Sequence, residues 1–199
     1  MEFDIKCDVA VIGAGPVGLA TACTLKVLNR DINISVFEKR VETTREHALR
    51  IQNDSIRALV RTLKSSPFKD QEQTALIELF QGWKGKSIPT TEIQDKLTKK
   101  AHDLGIRVFK GPEYAVEKDG FDRFVQETQA KVIIGTDGAR SQVRQALKIQ
   151  LASEFTLSYL LELKYKTDEV RPRKLLDASF QYIEAKGFDF ETVGRRKEP

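Results

Sequence analysis

The feature that most constrains this chain is the stretch Val9 to Leu25, reading VAVIGAGPVGLATACTL. Four consecutive apolar residues, Val9 to Ile12, have the length and β-branched character of a buried strand. They stop at Gly13-Ala14-Gly15-Pro16-Val17-Gly18, after which apolar residues resume as a helix. In a turn of this form Gly13 allows the sharp exit from the strand and Gly15 lets the backbone approach a pyrophosphate. Gly18 lets the helix pack close to the strand, and the helix N-terminus turns unpaired N–H groups toward an anion. Pro16 and Val17 lie within this turn and count with its glycines as candidate cofactor contacts.

A second β-prone run, Ile32 to Phe37, ends in Glu38. That acid lies about twenty residues beyond the glycines, where a dinucleotide fold places the acceptor for its ribose 2′-hydroxyl. A carboxylate there accepts from the hydroxyls and repels a 2′-phosphate, which favours FAD or NAD over NADP at this position. The alternative is an ordinary strand-turn-helix with a solvated glutamate. A further strand, Lys131 to Ile134, leaves into Gly135-Thr136-Asp137-Gly138-Ala139-Arg140 and a short helix. There Asp137 can accept from ribityl or ribose hydroxyls while Gly138 permits close approach. The same pattern, taken alone, is a capped helix start.

Between these landmarks the chain alternates predicted elements. Lys39 to Arg50 is a charged stretch without apolar periodicity, read as a loop. Its Lys39, Arg40, Arg45 and Arg50 suit either a phosphate or plain solvent. Asn53 or Asp54 caps a helix through Ile56, Leu59, Val60 and Leu63, stopped by Ser65-Ser66-Pro67. Residues Gln71 to Phe80 form a further helix and Gln81 to Lys86 a loop, with Trp83 anchoring it to the core or stacking on a ligand. A helix opens at Pro89-Thr90-Thr91-Glu92, carries Ile93, Leu97, Ala101 and Leu104 on one face, and stops at Gly105. Its His102 falls on the polar side. Ile106 to Phe109 is a strand, and Asp119-Gly120, between Glu113–Val116 and Phe121–Gln126, predicts a β-hairpin turn. Phe155 to Tyr165 is a long β-prone run, followed by a helix with Leu176, Phe180 and Ile183 on one face.

The 199 residues suffice for one core, or a core with the beginning of a second lobe. A net charge of +4, from 33 basic and 29 acidic residues that are interleaved, is no nucleic-acid footprint. No apolar stretch suits a membrane span, since the longest is the glycine-broken run itself. Cys7 and Cys23 read as small core residues in a reducing compartment, and no secretory leader precedes the first strand. The expectation is a cytoplasmic protein, with export by a signal-independent route left open. Metal-ligand spacing, nucleophile-elbow and P-loop patterns are all absent.

Three motifs in order, Gly13 to Gly18, Glu38-Lys39-Arg40 and Gly135 to Arg144, resemble the FAD-dependent aromatic-hydroxylase type of monooxygenase over about the first 145 residues. Within that class, Glu38-Lys39-Arg40, Arg45 and Leu49 look closest to the MICAL-type monooxygenases, echoed by Ser87-Ile88 and the helix to Gly105-Ile106. The resemblance implies a Rossmann-like α/β FAD-binding domain over 1–150, with a central parallel sheet and a β-hairpin. Residues 151–199 would then begin a second, substrate lobe. It implies FAD as cofactor and NAD(P)H as reductant, with oxygen delivered by hydroxylation or sulfoxidation to a small aromatic or a protein methionine. Glu38 would hold the adenosine ribose, and Arg40, Arg45 and Arg50 the flavin nucleotide. Ala115 would meet adenine through its backbone, and Asp137 the sugar hydroxyls.

The chain departs from the family at several points. Thr90 and Thr91 stand where an arginine or glutamine is usual, and Glu46 and His47 where MICAL-type enzymes carry asparagines. The later "GD" motif of the flavin end has no counterpart, so the chain reads as the front part of a longer enzyme. Such a piece is expected to hold FAD poorly by itself and to leave a sheet edge uncovered for self-association. No catalytic side chain stands out. His47 is the one titratable candidate near the expected flavin. The competing readings are a nucleotide- or partner-binding module without oxidase chemistry, and an NAD-dependent dehydrogenase.

Overall fold

The computed structural model describes residues 5–42 and 48–149, all within one compact unit spanning Met1–Ala152. Its centre is a four-stranded parallel sheet. β1 (Val9–Ile12) lies between β2 (Ile34–Glu38) and β6 (Val132–Gly135), and β5 (Arg107–Lys110) pairs with the far side of β2. The registers place Val9 opposite Ile34 and Val132, and Ser35 opposite Arg107.

Both faces of the sheet are covered, which is why β1 reads as an unbroken apolar run rather than an alternating one. Side chains still alternate in direction. Val9 and Val11, with Ile34 and Val36, face a layer built from α1 (Pro16–Leu28), α2 (Asn53–Lys64), α3 (Gln71–Trp83) and α4 (Thr90–Asp103). Ala10, Ile12 and Phe37 face the opposite layer, which holds α5 (Phe121–Thr128) and Val143 of α6 (Gln142–Ala146). Phe37 anchors that second layer, stacked on Phe109 at 5.4 Å and edge-on to Phe124 at 4.9 Å.

The helices of the larger layer are tied by polar contacts as well as packing. Asp70 caps α3 by accepting from Gln73 N–H at 2.9 Å and pairs with Arg30, just beyond α1, at 2.6 Å. Lys100 of α4 reaches Glu72 of α3 at 2.7 Å. Cys23, fully buried, donates weakly to the Leu97 carbonyl where α1 meets α4. Among the described residues no helix is long and apolar enough to cross a membrane.

The structure corrects three sequence expectations. The segment read as a hairpin around Asp119-Gly120 holds two short 3-10 turns (Pro112–Tyr114 and Lys118–Gly120) and then α5. Phe121, Phe124, Val125 and Thr128 recur at helical spacing and face the sheet, and this burial outweighs the turn preference of Asp-Gly. The stretch read as a loop up to Arg50 ends in a strand, β3 (Ala48–Arg50), paired antiparallel with β4 (Ser87–Pro89). Helix α3 continues through Trp83, whose ring is buried 5.9 Å from Phe80. Trp83 is thus a core residue, and the alternative of a ligand-stacking ring falls away. The later β-prone run and helix beyond Gln150 lie outside the described residues.

Candidate functional site

In a parallel sheet all strands finish at the same side, and open α/β sheets bind ligands there. β1 runs into the glycine turn, β2 finishes in Glu38, and β6 leaves into Thr136 to Arg140. Together they wall a cleft of about 390 Å³, inside the span of about 300–1,000 Å³ usual for ligand pockets.

Gly13 takes φ +104°, and a β-carbon on it would sit 2.6 Å from the Thr136 carbonyl oxygen. Gly18 is packed more tightly still, against the Gly13 carbonyl and the Thr136 hydroxyl. That hydroxyl lies 2.9 Å from both the Ile12 and the Gly13 carbonyl oxygens, so it joins the two turns directly. Gly15 differs from both. Its backbone is extended (φ −72°, ψ 174°), open to any residue, and a β-carbon there would meet no atom within 4 Å. The glycine requirement at position 15 is therefore one of space for a ligand and not of backbone strain. Behind it Pro16 opens α1, whose first N–H groups have no intrahelical acceptor.

Glu38 uses both carboxylate oxygens at once. Oε2 accepts from Ala14 N–H and Oε1 from Arg40 N–H, each at 3.0 Å. A carboxylate has about four acceptor positions, so ribose hydroxyls can still be received. Asp137 is divided. Its Oδ2 accepts from Gln142 N–H at 2.6 Å and Val143 N–H at 3.5 Å, steadying the start of α6. Its Oδ1 is buried and meets no donor among the described residues. A buried acceptor left this way costs about 1–3 kcal/mol, which a hydroxyl donor in the cleft would recover. Gly138, at φ +88°, follows at the rim.

The remaining sequence candidates are placed as follows. Lys39 and Arg40 line the cleft with Gly13, Gly15, Pro16, Glu38, Asp137 and Gly138. Val17 projects outward, 69% exposed, and Gly18 lies beneath the turn. Arg50 is exposed on β3 and does not line the cleft, and Ala115 is flanked by the lining residues Tyr114 and Val116. Arg45 and His47 lie outside the described residues.

The structure also brings in residues the sequence did not suggest. Lys110 lines the cleft because β5 pairs with β2 in a register that sets it beside Glu38. Gln94 of α4 reaches 2.9 Å from its amide nitrogen to the Ala14 carbonyl oxygen. With Lys39, Arg40, Lys110 and Arg140 set against Glu38, Glu42 and Asp137, and a helix N-terminus pointing in, the cleft is arranged for an anion.

Fold and cleft define a dinucleotide-binding α/β domain of the strand-turn-helix kind. Sequence comparison specifies it further: the chain belongs to the family described as "FAD binding domain", whose family model matches residues 6–198. FAD is accordingly its cofactor. No curated protein is similar enough to count as a match. Among solved structures, the chain is similar to the anhydrotetracycline hydroxylase OxyS from Streptomyces rimosus, at 22% identity and TM-score 0.49, covering 73% of this chain and 34% of that one. It is also similar to CabE, an aromatic hydroxylase from angucycline biosynthesis, at 17% identity and TM-score 0.47, over 71% of this chain and 33% of that one. A third likeness is to aklavinone-11 hydroxylase in complex with FAD and aklavinone, at 16% identity and TM-score 0.44, over 72% and 35%. The chain thus spans about a third of the length of these structures. At such identities and scores the likeness says nothing about substrate.

The residues present fit the cofactor. The open space at Gly15 beside a helix N-terminus suits the diphosphate, Glu38 the ribose of its adenosine half, and the orphaned Asp137 Oδ1 a sugar or ribityl hydroxyl.

Proposed function

We propose that this chain is the FAD-holding part of a flavin-dependent monooxygenase reduced by NAD(P)H, with the cleft at the strand ends as its cofactor site. The observation that carries this reading is Asp137 Oδ1, buried and without a donor among the described residues, in a carboxylate that lines one cleft with an open Gly15 and with Glu38.

Bound FAD supplies electron transfer and oxygen activation; the protein supplies position and electrostatics. Glu38 receives the ribose hydroxyls and turns away a 2′-phosphate by charge. The first N–H groups of α1 receive the diphosphate, with Lys39, Arg40 and Arg140 balancing its charge from the rim. Arg45 belongs with them on the strength of the sequence resemblance. Asp137 accepts from a hydroxyl further along the cofactor. Residues 151–199 begin the substrate domain in this reading. The substrate is a small aromatic or a thioether such as protein methionine, the Glu38 to Leu49 spacing favouring the second.

Calorimetric titration of FAD, with ADP as competitor, tests the site. Binding of FAD that ADP displaces, and that Asp137→Asn weakens, supports it. Anaerobic addition of NADPH to the FAD-loaded protein tests the chemistry, with loss of flavin absorbance expected. Bound flavin that NADPH leaves oxidised would indicate a binding module without oxidase chemistry. Tight binding of NADH without any binding of FAD would indicate a dehydrogenase.

A further inference from the structure

Ala14 sits between the two glycines that shape the turn, and both of its backbone groups are held by side chains from distant parts of the chain. Its N–H donates to Glu38 Oε2 at 3.0 Å, and its carbonyl accepts from Gln94 Nε2 at 2.9 Å. Glu38 comes from the end of β2 and Gln94 from the second turn of α4, 24 and 80 residues away. Both contacts are partly buried. A trans peptide is a rigid plane with its N–H opposite its C=O. The Ala14 N–H belongs to the Gly13–Ala14 plane and the Ala14 carbonyl to the Ala14–Gly15 plane. Fixing the first through Glu38 and the second through Gln94 therefore fixes two successive peptide planes of the turn. The second plane carries the Gly15 N–H, which points away from Gln94 at the position where the space is open.

We infer that Gln94 is a positioning residue for anion binding: with Glu38 it clamps Ala14 and so aims the Gly15 N–H at the diphosphate of the ligand. This rests on the reading of the cleft as a dinucleotide site. Glu38 then has two tasks, as ribose acceptor and as one jaw of the clamp; Gln94, also at the cleft wall, supplies the other jaw through its amide nitrogen. Gln94 is well suited to it. Its amide nitrogen is a donor at any pH, carries no charge that a phosphate would pair with, and stands on a helix anchored by Leu97 and Ile93 in the core.

The test uses the full chain and ADP as probe, since ADP carries the diphosphate and the ribose without the flavin. Gln94→Met keeps the length of the side chain but offers no donor, and should weaken ADP binding about tenfold, as for one lost hydrogen bond. Gln94→Glu should be weaker still near neutral pH, because a carboxylate faces the Ala14 carbonyl. As pH falls and the new carboxyl gains a proton it becomes a donor. Its affinity relative to wild type should then rise past that of Gln94→Met, which should keep a constant ratio to wild type. A residue that only packs would give no such crossing. The ligand-free protein provides a second reading: amide exchange at Ala14, whose N–H is held by Glu38, should quicken in both variants while α4 amides stay protected.

Wild-type affinity in Gln94→Met with unchanged exchange at Ala14 would overturn the inference. So would parallel pH curves for the two variants. Failure of wild type to bind ADP, with the exchange result as expected, would leave the clamp standing and overturn the dinucleotide reading instead.

Discussion

Gly18 lies so close beneath Gly13 that a β-carbon on it would stand 2.0 Å from the Gly13 carbonyl oxygen. Helix and turn touch backbone to backbone at this point. Gly15, three residues earlier, has nothing within 4 Å of the same hypothetical atom. The two glycines of one motif therefore fail in different ways when replaced.

Gly18→Ala should destabilise the fold by about 1–3 kcal/mol, the usual cost of forcing atoms into a packed contact. Chemical denaturation would show a lowered midpoint with or without ligand. Gly15→Val should leave the midpoint of the ligand-free protein within about 0.5 kcal/mol of wild type, as for substitutions away from packed features. Its ADP affinity should nevertheless fall more than about tenfold, since the side chain occupies the space a diphosphate needs. Equal loss of stability in the two variants would contradict the geometry.

Asp137→Asn separates the two oxygens of that carboxylate. The amide oxygen can keep accepting from Gln142 N–H, so stability should change little. The amide nitrogen then occupies the place of the orphaned oxygen and cannot accept from a hydroxyl. FAD affinity should fall about ten- to a hundredfold, as for a hydrogen bond to a charged acceptor. Titration of FAD into the variant checks it, and unchanged affinity would remove Asp137 from the site.

Asp70 ties folding to pH. Hydrogen bonding from Gln73 N–H, and then the Arg30 guanidinium, hold its carboxyl below the ordinary value of 3.8. A group depressed on folding contributes stability above its unfolded value and loses that contribution as pH falls through the folded one. Wild type should thus lose stability below about pH 4 more steeply than Asp70→Asn, which keeps a capping oxygen but has no charge to lose. At neutral pH Asp70→Ala should cost about 1 kcal/mol through the lost cap. Denaturation midpoints measured from pH 7 to pH 3 give both slopes.

Burial pushes the Cys23 thiol up to about 12, and the side chain has no exposure at all. At pH 8 it should be inert to thiol reagents in the folded protein and react only when the contact between α1 and α4 opens. Its rate of labelling, followed by mass spectrometry in rising denaturant, should track global unfolding. Rapid labelling in native buffer would show that this interface opens by itself.

Much of this was legible from the sequence because the relevant signals are local. The strand-turn-helix at Val9 to Leu25 and the periodic α4, stopped by Gly105, each carry their determinants within one short stretch of chain. Glu38 and Asp137 were legible as strand-end acids for the same reason. Three-residue strands such as β3 and β4 are too short to show a period, so their pairing was hidden. Asp119-Gly120 carries a strong local turn preference, and only contact between Phe124 and Phe37, far apart in sequence, reveals why a helix follows. Gln94 and Lys110 could not be read at all. One is placed by helix packing across 80 residues and the other by strand register.

The Thr136 hydroxyl, shared between the Ile12 and Gly13 carbonyls, bears on time as well as on shape. It makes the glycine turn and the Asp137 turn a single frame, each also fastened to β1 by the pairing of the sheet. Neither can swing aside to admit a ligand without breaking strand contacts. The walls able to yield are the exposed stretches at 39–42 and 138–140. Arrival and departure of a ligand are thus governed by a soft rim around a stiff seat. A change in that rim should alter how long a ligand stays far more than where it sits.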